Sequence, residues 1–252
     1  MNAYFSLQGK ITAIQNLINF PLFCTVMKIQ KGDFIRLEYT GRTADDSEIF
    51  DTTDEALAKE HHAHAEHAAY GPVTICIGEG HLLPGLEEQL IGREVGEHEI
   101  PLSPEQGFGK KDIKLLRMIP ASAFQKQQVV PYPGLHINMD GMLGIVKTAG
   151  GGRTIVDFNH PLAGRELKYQ VRVIAKVEDK AQQIIALMEA GFRLPPEQFQ
   201  VAVTGESATV TAKVPIPHEL ENQFAKKAKA LTGMGVTFAH EKQQAPAQQP
   251  EQ

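Results

Sequence analysis

Short β-forming runs, each ended by glycine or proline, limit the folds open to this chain more than any other feature. Over residues 34–40, Phe34, Ile35, Leu37 and Tyr39 sit among Arg36, Glu38 and Thr40, close to the alternation of a half-buried strand. A turn is expected over residues 41–47. Pro72-Val73-Thr74-Ile75-Cys76-Ile77 is a second β run, stopped by Gly78-Glu79-Gly80. Leu86, Leu90 and Ile91 then repeat at helical spacing until Gly92, which predicts one short helix. Residues 97–102 read as a strand, residues 104–109 as a loop, and residues 167–177 as a strand alternating Tyr169, Val171 and Val173 with polar partners. Strands therefore dominate, around one helix, and the expected class is α+β.

Between residues 109 and 159 the pattern is that of a separate, small β-rich unit. Val129-Val130, residues 136–139, residues 143–147 and residues 154–156 are short β runs broken by Pro131, Pro133, Gly134 and Gly150-Gly151-Gly152. Beyond residue 177, Ala181, Ile184, Ile185 and Met188 suit a helix stopped by Gly191. Residues 199–203 and 208–214 alternate around a turn at 204–207, and Leu220, Phe224, Ala228 and Leu231 mark a second helix. Helix, hairpin and helix make a third module. At 252 residues, 42% hydrophobic and 22% charged, the chain is long and apolar enough to fill several cores.

The two ends read differently. Residues 11–26 are apolar in tone, but Gln15, Asn16, Asn19 and Pro21 interrupt them, whereas a membrane-spanning helix needs about 20 largely apolar residues. A secretory leader is not indicated either, since Lys10 is the sole charge and no small-residue cleavage pattern follows. Residues 1–26 read as an upstream extension ahead of a start at Met27. Residues 241–252, rich in Gln, Pro and Ala, are too polar to pack and are expected to be disordered.

Most catalytic signatures fail. Gly78-Glu79-Gly80 begins like a dinucleotide loop, but residue 83 is Leu where the third glycine belongs, and no GxxxxGK[ST], HExxH or GxSxG occurs. A formal charge of −5 offers no basic footprint for nucleic acid. The 2 cysteines, Cys24 and Cys76, form neither a disulfide framework nor a zinc motif, which fits a reducing, cytoplasmic setting. Activity must then run on shape and burial.

Several segments carry a family resemblance. Tyr39, the dipeptide Phe50-Asp51, the stretch Gly78-Glu79-Gly80-His81-Leu82-Leu83-Pro84-Gly85-Leu86-Glu87, the loop Gly107-Phe108-Gly109 and Asn159-His160-Pro161-Leu162-Ala163-Gly164 closely resemble FKBP-type peptidyl-prolyl cis/trans isomerases. The insertion is similar to the insert-in-flap chaperone domain of the SlyD-like branch, and the third module to the extension of the long archaeal members. The resemblance implies an antiparallel sheet wrapped on a short helix. It divides the chain into an isomerase domain at 27–112 and 156–179, an insert at 113–155 and a C-terminal α/β module at 180–240.

The same resemblance places Tyr39, Phe50, Asp51, Leu82, Leu83, Leu86, Phe108 and Tyr169 at the family's proline pocket. Two departures stand out. The floor, often Trp in drug-binding members, is Leu86, and the usual flap Tyr is Phe108, which lacks a hydroxyl for the substrate carbonyl. Such a pocket needs no acid, base or cofactor. Stripping water from an Xaa-Pro amide favours the twisted, less polar transition state over the planar ground state. Tyr39 and Asp51 would orient the chain. The implied activity is prolyl isomerisation with chaperone action on unfolded or nascent polypeptides, with neither nucleic acid nor membrane as a partner. The alternatives are a holdase with little turnover and a metal-binding accessory protein.

That last alternative rests on His61, His62, His64 and His67, within an Ala- and Glu-rich segment at 54–69 that predicts a short helix. Imidazoles at i,i+3 suit nickel or zinc, with Glu60 or Glu66 as an added oxygen ligand. A solvated polar helix explains the same residues. SlyD-like relatives carry nickel ligands in a histidine-rich tail, but no histidine follows His240 here.

Overall fold

A computed structural model describes residues 28–61, 70–126 and 128–240. The expected extension at 1–26, the tail at 241–252 and His62, His64 and His67 lie outside these residues. In chain order, β1 (Phe34–Thr43), β2 (Ile49–Thr52), α1 (Glu55–Glu60), β3 (Val73–Cys76), α2 (Pro84–Leu90) and β4 (Gly96–Leu102) lead to β5 (Leu116–Pro120) and α3 (Ala121–Lys126). β6 (His136–Met139), β7 (Met142–Gly150) and β8 (Arg153–Asp157) follow, then β9 (Leu167–Lys176) and α4 (Lys180–Phe192). β10 (Phe199–Thr204), β11 (Ser207–Ala212), α5 (His218–Thr232) and β12 (Gly235–His240) complete the described chain.

Three sheets result. The first runs β2-β1-β9-β4 with β3 also paired to β1, all antiparallel. Its alternation puts Ile35, Leu37, Val171 and Val173 on the face that buries α2, through Leu86 and Leu90, in one core. The second sheet, β5-β8-β7-β6, encloses Ile119, Phe124, Val146, Val156 and Phe158. The third, β10-β11-β12, joins an antiparallel pair to a parallel one and packs with α4 and α5. The class is α+β, and among the described residues no helix is long and apolar enough to cross a membrane.

The structure departs from the sequence pattern at several points. β1 continues through Gly41 to Thr43 by way of an irregularity at Gly41/Arg42, so the expected turn narrows to the residues after Thr43. Val129-Val130 is not a strand: the Val129 N–H donates to Phe124 O, closing α3, and Pro131 and Pro133 offer no donors for a ladder. β5 was not expected because its exposed edge position leaves only Ile119 buried. α4 runs past Gly191 and ends at Arg193, which takes the left-handed conformation at φ 53°. Leu220 is 44% exposed, and α5 instead buries Glu221, Phe224, Ala228 and Thr232. β12 adds a strand to the expected helix-hairpin-helix module.

Candidate active site

The first sheet gathers an aromatic cluster at the end where β1, β2 and β9 meet. Gly41 lies opposite Asp51 of β2 and Tyr169 of β9. A Cβ on Gly41 would stand 2.9 Å from both Phe50 Cζ and Tyr169 Cε1, so only glycine lets these two rings close over the strand. They meet edge to face, with centroids 5.8 Å apart at 84°. Tyr39 tilts against Tyr169 at 6.0 Å, and Phe50 meets Phe108 at 5.9 Å and 77°. Four separate segments of chain thus share one ring network.

The aliphatic part comes from the turn into α2. Leu82 and Leu83 are half-buried and pack with Tyr39, Phe50 and Phe108 against the first core, while Leu86 lies fully enclosed beneath. Gly85 permits the close approach: a Cβ there would lie 2.5 Å from Gln106 Cβ in the loop that carries Phe108. The Glu87 carboxylate, 5% exposed, accepts backbone N–H groups from Gly78 at 2.7 Å, Gly80 at 3.4 Å and Leu82 at 2.9 Å. That shapes the loop in front of the leucines.

Polar groups sit at the edge. The Tyr39 hydroxyl donates to Asp51 Oδ1 at 3.4 Å. Burial, reinforced by the Asp51 charge, pushes the Tyr39 phenol well above its ordinary value, and burial likewise raises Tyr169. Burial also raises the Asp51 carboxyl, against the lowering effect of the Tyr39 hydrogen bond. Both tyrosines therefore stay neutral. Tyr39 and Asp51 hydrogen-bond to each other, and the cluster can bind, orient and exclude water.

Six of the eight expected residues form the network or its leucine wall, Asp51 is hydrogen-bonded to the network at Tyr39, and Leu86 lies buried in the core beneath. One neighbour was not anticipated. The His160 ring stacks on Phe108 at 4.3 Å and 7°. His160 lies inside the Asn159-His160-Pro161 motif, but stacking with a residue 52 positions earlier is a tertiary fact. A cavity of about 780 Å³ shares only Tyr39 with the cluster and is otherwise lined by Glu38, Glu97, Glu99 and Arg172 among others. Its acidic, polar walls do not match a prolyl ring, whereas the ring cluster does. His61 is exposed at the end of α1, and among the described residues no group of three or more His, Cys, Asp or Glu side chains is placed to hold a metal.

Comparison with known proteins gives the chain's family. Residues 26–125 match the FKBP-type peptidyl-prolyl cis-trans isomerase family, and residues 117–162 match the IF (insert-in-flap) domain of FKBP26. The chain is 34% identical over 146 residues to the short-type peptidyl-prolyl cis-trans isomerase of Methanocaldococcus jannaschii, covering 58% of this chain and 92% of that protein. It is 29% identical over 163 residues to the SlyD isomerase of Haemophilus influenzae, covering 63% and 77%. The 16 kDa isomerase of Escherichia coli is 31% identical over 108 residues, covering 41% and 72%. The chain belongs to the FKBP-type peptidyl-prolyl isomerase family. Its enzymatic class is that of a peptidyl-prolyl cis-trans isomerase, carrying an insert-in-flap domain.

Proposed function

We propose that the chain isomerises Xaa-Pro bonds in unfolded or partly folded polypeptides, with the cluster of Tyr39, Phe50, Asp51, Leu82, Leu83, Leu86, Phe108 and Tyr169 as the proline site. The convergence of four chain segments on one ring network carries this reading. An Xaa-Pro bond crosses a barrier of about 20 kcal/mol because the planar amide is stabilised by resonance. A prolyl ring seated against the rings of Phe50 and Phe108 leaves its amide in a water-poor place, where the twisted, less polar form is favoured. Tyr39 and Asp51 fix the chain's direction, and His160 shields the outer face of Phe108. No cofactor takes part.

The insert supplies the second half of the function, a chaperone surface for clients. Ile113 is 82% exposed, Val130 81%, Leu143 75%, Met118 58% and Tyr132 58%, an apolar display that suits extended polypeptide. Holding a client there raises the local concentration of its prolyl bonds to about the millimolar range. Phe50→Ala is the test of the site. In a protease-free isomerisation assay kcat/KM on a proline tetrapeptide should fall at least about tenfold, equivalent to about 1.4 kcal/mol of lost transition-state binding. Circular dichroism and thermal unfolding establish that the variant is folded. Full activity in the folded variant would remove the cluster from the mechanism.

A further inference from the structure

One strand of the isomerase sheet belongs to two cores. Ile75 and Ile77 are buried in the isomerase core, whereas Cys76 between them, with Phe34 and Val177, is buried in the cluster that holds Ile184, Leu187 and Met188 of α4. α4 packs directly on β3. β3 in turn runs straight into residues 78–83, the loop that ends in the wall residues Leu82 and Leu83. Glu87 ties that loop from the α2 side. Within the isomerase domain the Cys76 N–H donates to His81 Nδ1 at 3.2 Å, and from the third module Lys227 Nζ of α5 lies 2.8 Å from Glu79 Oε2. A small cavity of about 220 Å³ marks the seam, where Gly80 and His81 face Leu187, Ala190 and Phe224.

We propose that the third module braces the wall of the proline site, with Lys227 as the positioning residue that holds residues 78–83 where Leu82 and Leu83 meet the prolyl ring. This rests on the assignment of those leucines to the site. Because only three residues separate the end of β9 from the start of α4, which is capped by Asp179 and tied by the bond from Gln183 Nε2 to Val177 O at 2.7 Å, the module has little slack with which to leave the loop. Lys227 is 49% exposed at its side chain, so its ion pair with Glu79 adds little to global stability. Its effect is local, on the loop.

Reversing the charges isolates that effect in the full chain. Amide hydrogen exchange at residues 78–83 and kcat/KM on a proline tetrapeptide are compared for the native chain, Lys227→Glu, Glu79→Lys and the double variant. Each single variant should speed exchange in the loop about threefold, leave α4 and α5 protected and lower kcat/KM about twofold, with the double variant restoring both. Unchanged loop exchange in a folded Lys227→Glu chain would overturn the brace, whatever the turnover. A loosened loop with unaltered turnover would overturn the positioning role. A native chain without isomerase activity would overturn the site assignment instead, and the exchange measurement would still decide the brace.

Discussion

The isomerase sheet carries two additions, and they are attached in opposite ways. The insert closes its own core around Phe124, Val146 and Val156, and it meets the sheet through a polar neck. There the Asp112 N–H donates to Asn159 Oδ1 at 2.7 Å, and Asn159 Nδ2 donates to Asp112 O at 3.1 Å and Asp157 Oδ1 at 2.8 Å. The third module instead takes Phe34, Cys76 and Val177 of the sheet into its own core. Hydrogen bonds at a neck can be exchanged for water with little net change, whereas a shared apolar core cannot open without exposing its area. The insert is thus built to be a separate cooperative unit, and the third module to fold as one with the isomerase.

Core truncations give this contrast its largest test. Phe124→Ala, at a side chain 1% exposed, should destabilise the insert by about 3–5 kcal/mol, and Met188→Ala, fully buried, should destabilise its module by about 2–5 kcal/mol. Hydrogen exchange resolved by segment separates the outcomes. Phe124→Ala should release β5 to β8 alone, while Met188→Ala should lower protection in β1 and β3 together with α4. Equal loss throughout the chain in both variants would make the three sheets one cooperative unit.

Much of this arrangement is legible in the residues. The alternation of Ile35, Leu37 and Tyr39, and of Tyr169, Val171 and Val173, shows both central strands and their buried face, because one face of each meets a single core. Pairings between distant segments are harder to see. Cys76 looks like one more apolar residue in a β run, yet it turns away from Ile75 and Ile77 into a different core. β12 pairs in parallel with β11 across the whole of α5, and no local pattern announces a parallel partner. The members of the ring cluster stand out in motif order, whereas Gly41 and His160 take their meaning from rings that only folding brings near.

The neck gives the next largest effect. Asn159→Ala deletes its side-chain bonds to Asp112 and Asp157, which water can largely replace, and should cost the neck about 0.5–1.5 kcal/mol. If the neck passes clients from the insert to the site, refolding of a proline-limited protein should slow more than turnover of a tetrapeptide, which needs no capture. Refolding followed by fluorescence beside the tetrapeptide assay reads the ratio. An unchanged ratio would mean that the neck is a hinge of no consequence to delivery.

The smallest expected effect is a pH dependence of opposite sign in the two regions. In the neck, burial works against the Asp157 carboxylate, but the Asn159 donors and Lys111 outweigh it and hold its pKa below the ordinary value. A depressed carboxyl contributes stability that is present above the unfolded value of about 3.9 and is lost as pH falls through the lower folded value. In the ring cluster, burial raises the pKa of Asp51. A raised carboxyl imposes a cost that is present above its folded value and is relieved as pH falls towards the unfolded one. Acidification should therefore first ease the strain of charge at Asp51, above about pH 3.9, and then loosen the neck below it. Comparing each variant with the native chain across an acid titration separates the two. Asp51→Asn should lose its gain in isomerase stability first, and Asn159→Ala should narrow its deficit in insert stability at more acid pH. A gain in Asp51→Asn that persists at the acid end would show that the carboxylate charge is not what burial penalises there.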